Sequence, residues 1–589
     1  MFSKQIFSLF FFLLNFNFCY SSLKEPEKQI LNDHAKKFGT VLVQAKDGRI
    51  KPMNTLALEL LRKIYKKNSL LNLDANNWLI SFYQNPNFWL RYPFIKINKK
   101  GGKELFNKLK VNNFGYTSLM NFYKFNSKLK KFELIFEKDF QSAFSKNPFE
   151  RNSYEKELIN LIEKINIFYK ILKGDYIKIF PHSKLEKKNF TWKSWIKKKN
   201  ILYNKYISSL FFSKKKKKWE KSNKILDDII GFQQKKGILP SDKRIKLELI
   251  SNKLNINCFL MVGYSFLGII ILFFAFIKNF SSKKRNFFFK KNLLRLINLF
   301  FIYHTLGLII RWYISFHAPW SNEYESLIFI SWCILFAGIL ISKNRNLIIP
   351  GLSCLVASII LYIAYINLIN PEITNLVPVL KSYWLVIHVT IITSSYGFLC
   401  VSSLIGLLVI IIFILNKFLL KKNIKLIISD LTIINELSMI IGLFLLTIGT
   451  FLGAIWANES WGSYWNWDPK ETWALISILI YVLILHMRLI PFFKGKYIFN
   501  IFSFLSIISI IITYFGVNYY FAGLHSYAKG ENLNFFFTER CSKLLIIIII
   551  IIIIIIYIIS KQNKKKIKKK NQKKNQKKNQ KKIKSNQIK

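Results

Sequence analysis

The stretch Trp456 to Trp473 reads WANESWGSYWNWDPKETW and holds five of the chain's 14 tryptophans: Trp456, Trp461, Trp465, Trp467 and Trp473. An apolar run precedes it, Met439 to Ile455, and another follows it, Ala474 to Leu485. A loop between two membrane helices is normally polar. This one is aromatic, with Glu459, Asp468, Lys470 and Glu471 mixed in. A helical middle would set Trp461 and Trp465 one turn apart on one face. With Trp467 and Trp473 they would make a flat apolar shelf at the membrane surface. The competing reading is an aromatic belt, because tryptophan prefers the bilayer interface. A belt, however, uses one or two aromatics per helix end. Three histidines stand at places where an imidazole can act as a metal ligand. His388, in PVLKSYWLVIHVT, sits at the mouth of one apolar span, and His525, in FGVNYYFAGLHSYA, just beyond the end of another. His486 lies 13 residues past Trp473, which a helix converts to roughly 20 Å of depth. An ionisable residue inside a span is a functional candidate by default. For the two mouth histidines, a polar residue at a helix end is the alternative.

The elements that must carry these residues are membrane helices. The chain has 589 residues, 51% of them hydrophobic, and a mean hydropathy of +0.22, which is too apolar for a soluble protein. Apolar spans are read at 258–277, 293–312, 326–342, 347–370, 385–415, 435–455, 473–487, 499–520 and 544–559. The basic loops alternate: Lys278–Lys291, Lys343–Arg345, Lys417–Lys425, Arg488–Lys496 and the tail after Lys561. By the positive-inside rule these face the cytoplasm. The Trp run, His388 and His525 then converge on the outer face. The expected fold class is an α-helical polytopic membrane protein with about nine spans, following an N-terminal signal or anchor at 1–20. An exported α+β soluble region covers 21–257, the transmembrane domain 258–560 with its Trp loop at 456–473, and a Lys-rich, disordered cytoplasmic tail 561–589. Within the soluble region, Val41–Gln44, the turn Asp47-Gly48 and Arg49–Lys51 predict a hairpin, followed by a helix Leu56–Ile64 capped by Asn54 or Thr55. His34 and His182 are read as surface residues.

The net charge of +58 does not point to nucleic acid, since the basic residues sit largely in loops, a tail and one soluble region. Lys, Ile, Asn and Phe are overused together, which reflects mutational bias as much as selection for charge. The six cysteines, Cys19, Cys258, Cys333, Cys354, Cys400 and Cys541, form no CxxC and no CxxCH. A thioredoxin-type pair, a zinc ribbon and a c-type haem attachment site are therefore excluded.

The pattern W-G-x-Y-W-x-W-D-x-K-E-T-W, Trp461 to Trp473, closely resembles the WWD signature of haem-handling membrane proteins, the CcsA/ResC cytochrome c biogenesis proteins among them. VQxxxGRIKPxxT in Val43–Thr55 resembles the segment before the CcsA part of fused CcsB–CcsA synthases, and RWYISFHAPWSNEYE, Arg311 to Glu325, resembles a further CcsA signature. The resemblance covers roughly residues 41–64 and 258–540. It implies haem b as the substrate, held at an outer site with His388 and His525 as axial ligands and Trp456, Trp461, Trp465, Trp467, Asp468 and Trp473 around it. It also implies an inner haem site at His486. The second inner ligand would come from a CcsB/ResB-like membrane subunit, with His304 as the alternative within the chain. Arg311 is read either as a partner for a haem propionate or as snorkelling at the interface. The chemistry implied is thioether formation with the CxxCH thiols of apocytochrome c, kept reduced by thiol-reducing proteins, on the outer face of a bacterial-type inner membrane. Haem export without attachment, or a structural subunit of a respiratory complex, are the other classes left open.

Overall fold

The computed structural model describes residues 25–98, 101–126, 131–147, 151–172, 176–181, 192–194, 201–216, 218–236, 239–280, 287–342, 347–365, 371–376, 381–419 and 424–521. The N-terminal segment 1–20, His182, His525, the span read at 544–559 and the Lys-rich tail lie outside them. The chain divides into two compact units, one of residues up to Leu254 with Glu372–Asn375, the other of Asn255–Pro371 and residues from Leu376 on.

The first unit is α+β. The hairpin forms as the sequence predicts, with Leu42–Gln44 antiparallel to Ile50–Pro52 and Gln44 opposite Ile50. Lys178–Phe180 joins beside Gln44 and pairs in turn with Lys193–Ser194. The helix that follows runs Met53–Tyr65, not from Leu56, and its N-cap is Pro52 at φ −62°, ψ 149°. Asn54 and Thr55 therefore lie in the first turn and do not cap it. Their side chains reach outward instead, Asn54 Nδ2 to Asn76 at 3.2 Å and Thr55 Oγ1 to Glu248 at 2.8 Å. Two buried ion pairs sit near the hairpin: Arg49 with Glu248 at 2.7 Å, and Lys51 with Glu59.

His34 corrects the surface reading. It is fully buried, bonded to Asn223 at 2.6 Å and Tyr206 at 3.1 Å, with its ring 4.7 Å from that of Trp219. Its neighbours come from far along the chain, which sequence spacing could not show. Burial pulls its pKa down from 6.5 to about 4. Between those values the unfolded chain takes up a proton that the folded chain refuses, so acidification through that window costs stability. Glu59 acts in the opposite sense. Burial raises its pKa from 4.5 to about 7 despite Lys51, so the folded state gains a proton as pH falls from about 7 and loses that advantage as pH rises. In detergent-solubilised protein, His34→Gln is expected to hold its Tm better than the wild type as pH falls from 6.5 to 4.5. Parallel pH dependences in the two proteins would exclude this role.

The second unit holds eight helices long and apolar enough to cross a bilayer, among the described residues. They are α1 Ile256–Phe280, α2 Phe287–Ser315, α3 Glu323–Ser342, α4 Ile348–Tyr365, α5 Tyr383–Leu419, α6 Ile424–Trp461, α7 Pro469–His486 and α8 Lys496–Ile511. α6 starts eleven residues before the span read at 435–455: its first turns are more polar but still helical. Two apolar cores form, one around Leu260, Ile271 and Ala357 of α1 and α4, the other around Leu399, Met439 and Tyr481 of α5, α6 and α7. In lipid, apolar contact alone does not drive helices together, and polar side chains serve as glue. A buried chain of them ties α5, α6 and α8. Ser402 Oγ donates to Asn435 Oδ1 at 2.6 Å, Asn435 Nδ2 to Asn500 Oδ1 at 2.8 Å, and Asn500 Nδ2 to Thr432 at 2.9 Å. A π-helical turn, Ile512–Gly516, follows α8 directly.

Candidate functional site

Four helix termini meet the Trp run at one end of the bundle: the starts of α5 and α7 and the ends of α6 and α8. Ser382 Oγ, just before α5, donates to Glu459 near the end of α6 at 2.8 Å. Lys470 Nζ in the first turn of α7 donates to Asn518 at 3.3 Å. Thr513 Oγ1 of the π turn donates to the Trp473 carbonyl at 3.3 Å. These ties hold the loop against all four helices.

The run is not helical through its middle, contrary to the expectation that Trp461 and Trp465 share a helix face. α6 stops at Trp461, because Gly462 adopts φ +78° and its N–H returns to Asn458 O at 2.9 Å, a glycine C-cap. Trp465 and Trp467 lie in the connecting loop, with Trp467 itself at φ +55°. Two of the ring contacts are edge-on, Trp456 with Trp461 at 4.8 Å and Trp465 with Trp467 at 5.9 Å, so these rings are not coplanar. Trp467 is 70% exposed, whereas Trp456 is buried.

Asp468 caps α7. Its carboxylate accepts from the Lys470 N–H at 3.3 Å, and Glu471 Oε2 accepts from the Asp468 N–H at 3.3 Å, a capping box with Pro469 in the first helical turn. Aspartate in this motif thus sets where the loop ends and the helix begins. Asp468→Asn is expected to keep the cap, while Asp468→Ala loses about 1 kcal/mol, read as a lower Tm of the solubilised protein. Equal Tm values for the two variants would remove the capping role.

His388 lies in the second turn of α5 and faces α6. Its Nδ1 is 2.7 Å from the Gly449 carbonyl. A carbonyl only accepts, so Nδ1 carries the proton and Nε2 is the lone-pair nitrogen. That is the arrangement a metal-ligating imidazole uses, its other ring N–H held by a backbone carbonyl. Trp456 stacks beside the ring, 12° from parallel at a centroid distance of 6.5 Å. The structure therefore brings His388 and Trp456 together, with Trp461 against Trp456. The resemblance put Trp456 among the residues around the haem, but the sequence gave no sign that it lies beside His388; that proximity depends on the register of α5 against α6.

His486 sits at the other end of α7, exposed on the outer side of the bundle, with Nδ1 2.8 Å from the Val482 carbonyl. It continues the exposed stripe of Leu479 and Leu483. Arg488 beyond it pairs with Glu436 of α6. Beside this stripe an apolar groove of about 460 Å³ runs between α7 and α8, lined by Trp473, Leu479, Leu483, Phe502, Ile508 and Ile512. His304 is not near it: it is buried in α2, its Nδ1 3.1 Å from Tyr264 OH of α1. Arg311 is already engaged. Its Nε donates to the buried Glu325 at 2.8 Å and its Nη2 to the Pro371 carbonyl at 3.2 Å. Sequence reading listed Arg311 and Glu325 in one segment but did not pair them. Fourteen residues separate them, and only the turn between α2 and α3 brings them together.

A bundle of eight bilayer-length helices with a tied aromatic loop at one end defines a polytopic membrane protein. Residues 320–525 match the family model described as cytochrome C assembly protein. The chain is 37% identical over 305 residues to the cytochrome c biogenesis protein CcsA of Prochlorococcus marinus subsp. pastoris, covering 46% of this chain and 95% of that protein. To CcsA of Chlamydomonas reinhardtii it is 38% identical over 229 residues, 38% of this chain and 64% of that protein. To protein NrfI of Wolinella succinogenes it is 39% identical over 519 residues, 87% of this chain but 56% of that protein, so the chain spans little more than half of NrfI's length. This chain belongs to the CcsA family of cytochrome c assembly proteins.

Proposed function

We propose that this chain handles haem in cytochrome c biogenesis, holding haem b at an outer-face site and presenting it to the CxxCH thiols of apocytochrome c. The observation that carries the reading is His388, whose Nδ1 is fixed on the Gly449 carbonyl and whose ring lies beside Trp456 at the Trp-loop end of the bundle. His388 would supply one axial nitrogen and His525 the other. Trp461, Trp465, Trp467 and Trp473 supply apolar surface around the macrocycle, and Asp468 fixes the loop's exit into α7. Attachment adds each thiol across a vinyl group: sulfur bonds one vinyl carbon and the thiol hydrogen ends on its neighbour. Nothing is oxidised, so the chain needs no nucleophile of its own, and positioning lowers the barrier. The thiols must arrive reduced, which calls for thiol-reducing partners. His486 serves an inner site, and the α7–α8 groove offers apolar surface between the two ends. Its exposed position supports a second ligand from a CcsB/ResB-like membrane subunit.

The test is an optical spectrum of the purified membrane protein, followed by incubation with reduced apocytochrome c and the partner subunit. Low-spin Soret and α bands, and a haem-staining c-type product on a denaturing gel, are expected. Bound haem with no covalent product would make the chain an exporter; no haem at all would overturn the reading.

A further inference from the structure

Gly449 and Gly453 stand one turn apart on α6, on the face that meets His388 and Ile392 of α5, also one turn apart. A β-carbon built at Gly453 would lie 2.5 Å from His388 Cε1 and 2.7 Å from Nδ1, and one at Gly449 would lie 2.5 Å from Ile392 Cγ1. These distances are well below van der Waals contact, so the helices approach this closely only without side chains at either position. The imidazole occupies the notch that Gly453 leaves open. There its Nδ1 reaches the Gly449 carbonyl at 2.7 Å and its ring flattens against Trp456.

We propose that Gly453 is a positioning residue for His388: the missing side chain seats the imidazole so that Nδ1 binds the Gly449 carbonyl and the ring is held in one orientation. The proposal rests on His388 being a haem ligand. Alanine at 453 meets a ring on two rotatable bonds, so the ring gives way and the helix does not. The ring then leaves the carbonyl that fixes its tautomer. Loss of such a supporting hydrogen bond lowers metal affinity by about 10–100-fold.

The experiment measures haem per inserted protein and the optical spectrum in Gly453→Ala, His388→Gly and the double variant, co-expressed with the partner subunit. Gly442→Ala serves as a packing control, since a β-carbon there would press on Leu399 at 2.6 Å in the same α5–α6 interface without touching His388. Gly453→Ala is expected to lose at least about tenfold of its outer-site haem, while Gly442→Ala keeps the wild-type spectrum. The double variant is expected to lose no more than His388→Gly alone but to recover less with added imidazole, because the alanine β-carbon at position 453 stands in the notch the ring occupies; equal recovery would overturn the proposal. A wild-type spectrum in Gly453→Ala, alongside haem loss in His388→Gly, would overturn the proposal and leave the functional reading standing. An unchanged spectrum in His388→Gly would overturn the functional reading itself. If Gly453→Ala fails to accumulate in the membrane, His388→Gly should restore its level by removing the atoms it strikes; failure to restore it would also overturn the proposal.

Discussion

Glycine in place of His388 is expected to cut c-type cytochrome yield at least about tenfold, and millimolar imidazole is expected to restore part of it together with the low-spin spectrum. The Gly449 carbonyl holds Nδ1 at 2.7 Å, so the ring is fixed in orientation by a backbone acceptor. Trp456 lies nearly parallel to it and is buried at the end of α6, so the cavity left by glycine keeps its aromatic wall. Free imidazole fits a hole of its own shape and can donate to the same carbonyl. The same substitution at His525 should behave alike if the two histidines share one iron. A double variant with an unchanged spectrum would remove both from the site. Protein level in the membrane is the control, because His388 carries a contact between α5 and α6 as well as a ligand role.

Much of this was legible in the chain. Eight of the nine spans read from hydropathy coincide with helices, because an apolar run long enough to cross a bilayer has few other ways to satisfy its backbone; the ninth falls outside the described residues. The hairpin at Leu42–Pro52 followed from local turn chemistry. What failed were features decided by a single backbone angle or by distant partners. Gly462 could have been read as a helix stop, and the aromatic pattern drew attention away from it. Its φ of +78° ends the helix at Trp461, so Trp461 and Trp465 do not share a helix face. Asp468, read as a site residue, also caps a helix, which its place among the tryptophans did not announce. His34 is enclosed by Tyr206, Trp219 and Asn223, which lie some 170 to 190 residues away. Arg311 found a carboxylate across one interhelical turn. No periodicity encodes those encounters.

The second large effect concerns His486 and the partner subunit proposed for it. His486 is exposed at the end of α7 and donates Nδ1 to Val482 four residues back, so its other nitrogen belongs to the face that α7 turns away from its own bundle. Leu479 and Leu483 on that face are 58% and 61% exposed. If His486 ligates haem as proposed, this exposed position suits a second ligand supplied by a partner subunit. His304, the other deep histidine, is buried against Tyr264 of α1. Expressed alone, the chain is expected to hold inner-site haem weakly and to mature little cytochrome c; with a CcsB/ResB-like subunit it should do both, at least about tenfold better. His486→Ala should abolish that gain while leaving the outer-site spectrum of the isolated chain unchanged. Bis-histidine haem in the isolated chain that vanishes with His304→Ala would place both ligands in this polypeptide. Cytochrome yield indifferent to His486 would reduce it to a polar residue at a helix end, hydrogen-bonded to its own backbone and nothing more.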